Sequence, residues 1–455
     1  MRRKHRSQNA KTKSSTLPSQ SDQAPLRGLR VVDLTSMVLG PYSTQILADY
    51  GADVIKVESP QGDLMRKGGA TKNADMGALF LQLNRNKRSI VLDLKQPSAC
   101  NALLRLCERA DVFVHNNRPA AMRRLKLTDD DVRKVNPRLV YVSLIGYGDN
   151  GPYAGKPAYD DLIQGICALP TIAARAGGQE PRYVPLTLTD RIVGINAAHA
   201  ILAAVLRRDS VGEGQSVELP MFETMAQFVL GDHLGGRSFE PPVGQPGYNR
   251  LLTANRRPYA TRDGYVCALI YTDKHWQAFF AAVGRLDEFL ASARLSDHAT
   301  RARHYNEVYG IVADILRTRT TAEWISLLER CDIPCAPMND LDALIDDPHL
   351  AAVEFFQTQT HPTEGRIRYT GIPSRWNGTT LKITRHAPRL GEHCVAILEE
   401  AGISAKDIQA LLQSGAAVDG QLVAKADASA RRADCSEKSD VIASQQNEKS
   451  QGGRP

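Results

Sequence analysis

The chain has 455 residues, 42% of them hydrophobic, enough apolar material to bury a large core and to form more than one domain. Most of its formal net charge of +7 comes from residues 1–25, where Arg2, Arg3, Lys4, Arg6, Lys11 and Lys13 face Asp22 alone. No uninterrupted apolar run approaches the ~20 residues of a membrane helix. The eight cysteines are scattered without a CxxC, which predicts reduced thiols in a cytoplasmic protein and no disulfide framework or metal site.

Residues 1–25 are Ser/Gln-rich and nearly free of large apolar side chains. The segment is Arg-bearing and acid-poor, as transit peptides are, but lacks the apolar face of an amphipathic helix, so it is expected to be a disordered basic tail with no specific nucleic-acid partner. From Pro25 to Asp63 the pattern reads strand, tight turn, helix, strand. Arg30 to Leu34 is β-branched. Gly40-Pro41 opens a helix with Pro at a first-turn position, where its missing N–H costs nothing. Gly51 suits a left-handed C-cap, and Asp53 to Val57 forms the next strand before Glu58. A strand entering a helix through such a turn can offer free backbone N–H groups to a phosphate. Most such units, however, bind no nucleotide.

Further strands are predicted at Ser89–Leu94, Asp111–His115 and Leu139–Ile145, with a helix at Ser98–Glu108 between the first two. This alternation implies an α/β fold with a parallel sheet covered on both faces. Asp190–Arg208 reads as a long Ala/Ile/Leu-rich helix closed by the Gly212–Gly214 break. Phe239–Ala260, rich in Gly, Pro and Arg, reads as a linker or active-site loop. A strand at Tyr265–Leu269 and helices from Lys274 to Leu328 follow, and residues 416–455 are polar enough to be expected as a disordered tail.

Many ordered segments resemble the family III CoA-transferases (CaiB/BaiF, formyl-CoA transferase-like). They include Asp33-Leu34-Thr35, Gly40-Pro41, Gly51-Ala52-Asp53-Val54-Ile55-Lys56-Val57-Glu58 and Gly62-Asp63. After these come Asn86-Lys87-Arg88-Ser89, then Asp111 to Pro119 against the family's ADVxxENFRPG, then Pro157-Ala158-Tyr159-Asp160 with Gln164. Asp190, Gly244-Gln245-Pro246-Gly247 and Ala387-Pro388-Arg389-Leu390-Gly391 complete the series. The resemblance spans about residues 26–412. It implies a Rossmann-like large domain made from both ends of the core (26–225 and 341–415), a smaller central α+β domain with its linker (226–340), and a homodimer of interlocked chains. The implied partners are an acyl-CoA and a free carboxylic acid, with coenzyme A as substrate and no permanently bound cofactor.

A protein carboxylate suits the transfer chemistry, because its attack on a thioester gives an anhydride that keeps the energy of the bond. The family's transferases carry an Asp in the loop between the positions of Gln164 and Asp190; here that place holds Gly178. Three carboxylates compete. Glu180 lies in the right loop, Asp190 stands at a helix start where N-capping is its alternative role, and Asp160 follows Tyr159. Racemases of the family place a His where Tyr159 stands, and a tyrosine is a poor base at neutral pH, so transfer is favoured over α-proton chemistry. The missing loop Asp leaves a non-catalytic CoA-binding relative as the other alternative. For CoA the resemblance nominates Met37, Val38, Leu39, Lys87 and the segment from Asn116 to Leu125 with Arg124, the cations for phosphates and the apolar turn for adenine. His233, Arg250, Asn255, Arg256 and Arg257 are candidates to meet the acceptor carboxylate.

Overall fold

The computed structural model describes residues 24–422. The large domain runs β1 (Arg30–Leu34), α1 (Leu39–Asp49), β2 (Asp53–Glu58), α2 (Ala78–Leu83), β3 (Lys87–Leu92), α3 (Pro97–Cys107), β4 (Val112–His115), α4 (Pro119–Leu125), α5 (Asp129–Val135) and β5 (Val140–Ile145). It continues with α6 (Asp160–Ile166), α7 (Leu169–Gly177), α8 (Leu188–Val211), β6 (Ser216–Pro220) and α9 (Met221–His233). The strands pair in the order β3-β2-β1-β4-β5-β6, all parallel. The order reverses between β1 and β4, and in open α/β sheets that switch point opens a crevice at the carboxyl ends of the strands.

Both sheet faces are covered, which is why the inner strands read as near-continuous apolar runs. On one face Leu103 and Leu106 of α3 pack with Ile397, Leu398 and Ile408 from two C-terminal helices. On the other, Leu47 of α1 packs with Val193, Ala197 and Ile201 of α8. A Cβ at residue 194 would lie 2.9 Å from the Leu39 carbonyl oxygen, so Gly194 is what lets α8 cross α1 this closely. Gly51 takes the expected left-handed conformation, φ +97°, at the end of α1.

The central domain holds β7 (Tyr259–Ala260), β8 (Tyr265–Ala268) and β9 (Cys335–Pro337) in an antiparallel sheet. The helices between 273 and 330 enclose an aromatic core that includes Trp276, Phe279, Phe280 and Trp324. The hairpin β10 (Phe356–His361) and β11 (Gly365–Thr370) then returns to the large domain, where Arg85 donates to the Thr370 carbonyl at 2.7 Å. Helices Cys394–Glu400 and Ala405–Gln413 lead to β12 (Ala417–Val418), which pairs antiparallel with β3.

Three expectations shift. Helix α9 belongs to the large domain, since Met225 and Val229 join its core, so the boundary falls after 233 and not at 225. Residues 416–422 are folded: Ala416 and Ala417 are buried, and the strand they start satisfies the free edge of β3. Small alanines carry little compositional signal, which is why this segment read as part of the tail. The tails at 1–23 and 423–455 lie outside the described residues. Finally, α8, with 24 residues, is long and apolar enough to cross a membrane by length and composition. Val193, Ala197 and Ile201 of this helix are buried in the large-domain core, while Ile195, Leu206 and Val211 stay exposed.

Candidate active site

Beneath the β1–α1–β2 unit lies a buried network of charges. Lys56 of β2 donates to Asp63 at 2.8 Å and to the Thr35 carbonyl at 3.0 Å. Arg66 reaches both oxygens of Glu58, at 2.8 and 2.7 Å, and stacks over Phe80. Asp33 accepts from Thr35 and Thr44, and Lys87 lies 3.3 Å from it. Burial would raise the Asp33 carboxyl, but Lys87 and Lys56 hold it below the ordinary range.

This network removes Lys87 from the residues that could reach a phosphate. Its side chain is fully buried and donates to the Pro41 carbonyl and Asn84 at 2.9 Å as well as pairing with Asp33. Burial draws its ammonium down to about 8. The amides leading into α1 are likewise engaged: Thr35 N donates to Asp33, Ser36 N to Asn116 and Met37 N to Asp63. The free-amide cradle expected from the strand–turn–helix pattern is therefore closed over these three residues.

At the switch point the carboxyl ends of β1, β4 and β5 surround a cleft of about 190 Å³. Met37 and Leu39 line it from the first turn and Asn116 from the β4 loop, the latter accepting from Ser36 N at 3.0 Å and donating to Ser36 O at 2.8 Å. Val38 is buried beside the cleft without lining it. Arg124 is exposed and Leu125 packs toward the core, both outside the cleft lining. Two cations do face the cleft, Arg118 and Lys156. Arg118 falls in the nominated segment. Lys156 was missed, although it directly precedes the matched Pro157-Ala158-Tyr159-Asp160 run. Residues His233, Arg250 and Asn255 lie elsewhere: Arg250 donates to the Tyr309 hydroxyl and Asn255 to the Asn306 carbonyl, tying the 235–257 segment to the central domain.

The three carboxylates separate clearly. Glu180 is exposed in the segment after α7 and does not line the cleft. Asp160 is buried and fully engaged: one oxygen accepts from Thr189 Oγ1 at 2.6 Å and from Asp190 N at 3.0 Å, the other from Gln164 at 2.6 Å. Asp160 thus caps the start of α8 from a different helix, the role the sequence offered to Asp190. Asp190 lines the cleft with a carboxylate that accepts no hydrogen bond from any described residue. Burial and the Asp160 charge push it up to about 7, with Asp161 adding and Arg191 opposing. A carboxyl that titrates near neutrality in a cleft lined by two cations can act as a nucleophile or exchange a proton.

The family model for CoA-transferase family III matches residues 26–394. The chain belongs to this family. It is 30% identical to an acyl-CoA transferase of Fusarium pseudograminearum over 90% of this chain and 91% of that one. A succinyl-CoA:mesaconate CoA-transferase of Haloarcula hispanica is 32% identical over 83% of this chain and 96% of its own. Among solved structures, Rv3272 of Mycobacterium tuberculosis superposes with a TM-score of 0.72 at 29% identity, covering 82% of this chain and 99% of that one. The expected family, α/β architecture and CoA-transferase class therefore stand.

Proposed function

We propose that this CoA-transferase moves CoA from an acyl-CoA donor to a free carboxylic acid through Asp190. The observation that carries the reading is an unpartnered carboxylate raised toward 7 in the switch-point cleft, while Asp160 is saturated and Glu180 faces solvent. The Asp190 carboxylate attacks the thioester carbonyl, forming an acyl anhydride and expelling the CoA thiolate. The thiolate attacks the aspartyl carbonyl, giving an enzyme thioester and releasing the donor acid. The acceptor carboxylate displaces that thiolate to form a second anhydride, and the thiolate then takes the new acyl group and restores Asp190. Arg118 and Lys156 would neutralise the anions that meet here. Together with the Haloarcula relative's name, these cations support a short dicarboxylic acid as acceptor.

A racemase would need a proton shuttle at Tyr159 and Asp160. The engaged carboxylate of Asp160 and the phenol at 159 weigh against that use. A homodimer is part of the same proposal. Leu186, Leu206, Phe228 and Val243 are each more than half exposed, an apolar cost that a second subunit would relieve.

The test incubates the purified protein in D2O with acyl-CoA donors and free mono- and dicarboxylic acids, followed by mass spectrometry of the CoA esters and peptide mapping. The proposal expects new esters that require the free acid and a CoA adduct on the peptide containing Asp190. Deuterium at the α-carbon without a new ester, or an adduct at Glu180, would overturn it.

A further inference from the structure

The Met37 turn forms one wall of the proposed CoA cleft, and its backbone is unusual. Met37 has φ +71°, the left-handed region that non-glycine residues rarely occupy and that persists only where the surroundings impose it. Three side chains from three different elements impose it here. Asp33 at the end of β1 accepts from Thr35 N at 3.0 Å. Asn116 after β4 brackets Ser36 through both its N–H and its carbonyl. Asp63 after β2 accepts from Met37 N at 3.2 Å, and the same oxygen accepts from Met65 N at 3.0 Å. Its other oxygen is paired with Lys56, which also donates to the Thr35 carbonyl. Lys56 and Asp63 therefore grip the turn at residues 35 and 37, and both side chains are fully buried.

We infer that Lys56 and Asp63 are positioning residues that hold the Met37 turn in the shape that receives the CoA moiety of the substrate. Neither touches the cleft; both act through the backbone of residues 35–37. The pair is fully buried, where a hydrophobic pair could fill the same space, and such replacement is often neutral for stability. What a hydrophobic pair could not supply is an acceptor for Met37 N and a donor to the Thr35 carbonyl at the two ends of one turn.

The inference rests on the cleft being the CoA site, so binding is read apart from transfer. Coenzyme A itself is titrated calorimetrically into the full chain, the Asp63→Asn variant and the Asp63→Ala variant, with thermal melts of each. Asparagine keeps an oxygen for Met37 N but puts an amide nitrogen where Lys56 donates, losing the charge pair and its hydrogen bond; alanine removes the Met37 acceptor as well. The expected order is wild type, then Asp63→Asn weaker by about threefold, then Asp63→Ala weaker by tenfold or more. The KM for acyl-CoA should follow these losses, with kcat at saturation within about threefold of wild type. An Asp273→Asn variant, which loosens a buried arginine of the central domain, serves as the control for general destabilisation and should leave CoA affinity unchanged. CoA binding by wild type with equal affinity in both Asp63 variants overturns the positioning role alone. Absence of CoA binding to wild type overturns the cleft assignment and this inference together. A loss in the Asp273→Asn control equal to that in Asp63→Ala would likewise overturn it.

Discussion

Two groups of acidic residues sit within the same domain and meet opposite fates. Under the first crossover, Asp33, Glu58 and Asp63 are each matched by a buried Lys or Arg and by further hydrogen bonds. Asp33, Glu58 and Asp63 are all held below the ordinary carboxylate range, the cations overriding a burial effect that runs the other way. At the switch-point cleft Asp190 lies next to the buried Asp160, and of the two carboxylates only that of Asp190 accepts no hydrogen bond from a described residue. Charge that is matched builds the scaffold. Charge that is left unmatched in a cleft is available for chemistry.

The contrast can be broken most severely at Asp190. The Asp190→Ala variant should lose transfer by on the order of 10³-fold or more while melting normally, measured as acid-dependent formation of new CoA esters. Retained activity would move the nucleophile elsewhere. On the scaffold side, Arg66→Met leaves Glu58 buried without its cation and should cost about 3 kcal/mol of stability in chemical denaturation. A loss well below 1 kcal/mol would mean that Ser89 and the Asp63 amide, which also donate to Glu58, suffice.

A smaller effect sharpens the comparison. Asp160→Asn keeps an oxygen to cap α8 but removes the like charge next to Asp190, so the acid limb of the kcat/KM profile should move to lower pH. Because Gln164 loses the shortest of its three hydrogen bonds as a donor, stability should fall by about 1 kcal/mol. An unmoved limb would show that burial alone sets the titration of Asp190. The smallest effect is the stability of Asp190→Asn. Asp190 is raised in the fold, so the folded chain holds its proton more tightly than the unfolded one, and this stabilisation is lost as pH rises from about 4 through 7. The neutral variant should therefore be more stable than wild type at pH 8, by on the order of 1 kcal/mol after allowing for solvent screening at a partly buried group, with the gap closing toward pH 5. Melting curves at the two pH values check both sign and size.

The elements of the β1–α1–β2 unit were legible because their signals are local. A β-branched run, a Gly-Pro turn and a glycine at the helix end act within about ten residues of one another. The family motifs were legible too, and with them the sheet and the transferase class. Roles within the motifs were not. Lys87 has the chemistry of a phosphate ligand, yet strand β3 turns it inward to Asp33, 54 residues away in sequence. The short β12 strand was hidden because two residues, Ala417 and Val418, become a strand only against the edge of β3.

The carboxylates make the same division plain. By itself the sequence determined which acidic residues compete for the nucleophile's role, and that the loop from Ala173 to Pro181 contains no aspartate. Only the tertiary structure decided that Asp160 caps a helix 30 residues on and that Asp190 is the carboxylate left open. Residue type sets what a carboxylate can do. Whether it is paired, buried or free depends on neighbours that the fold alone brings within 3 Å.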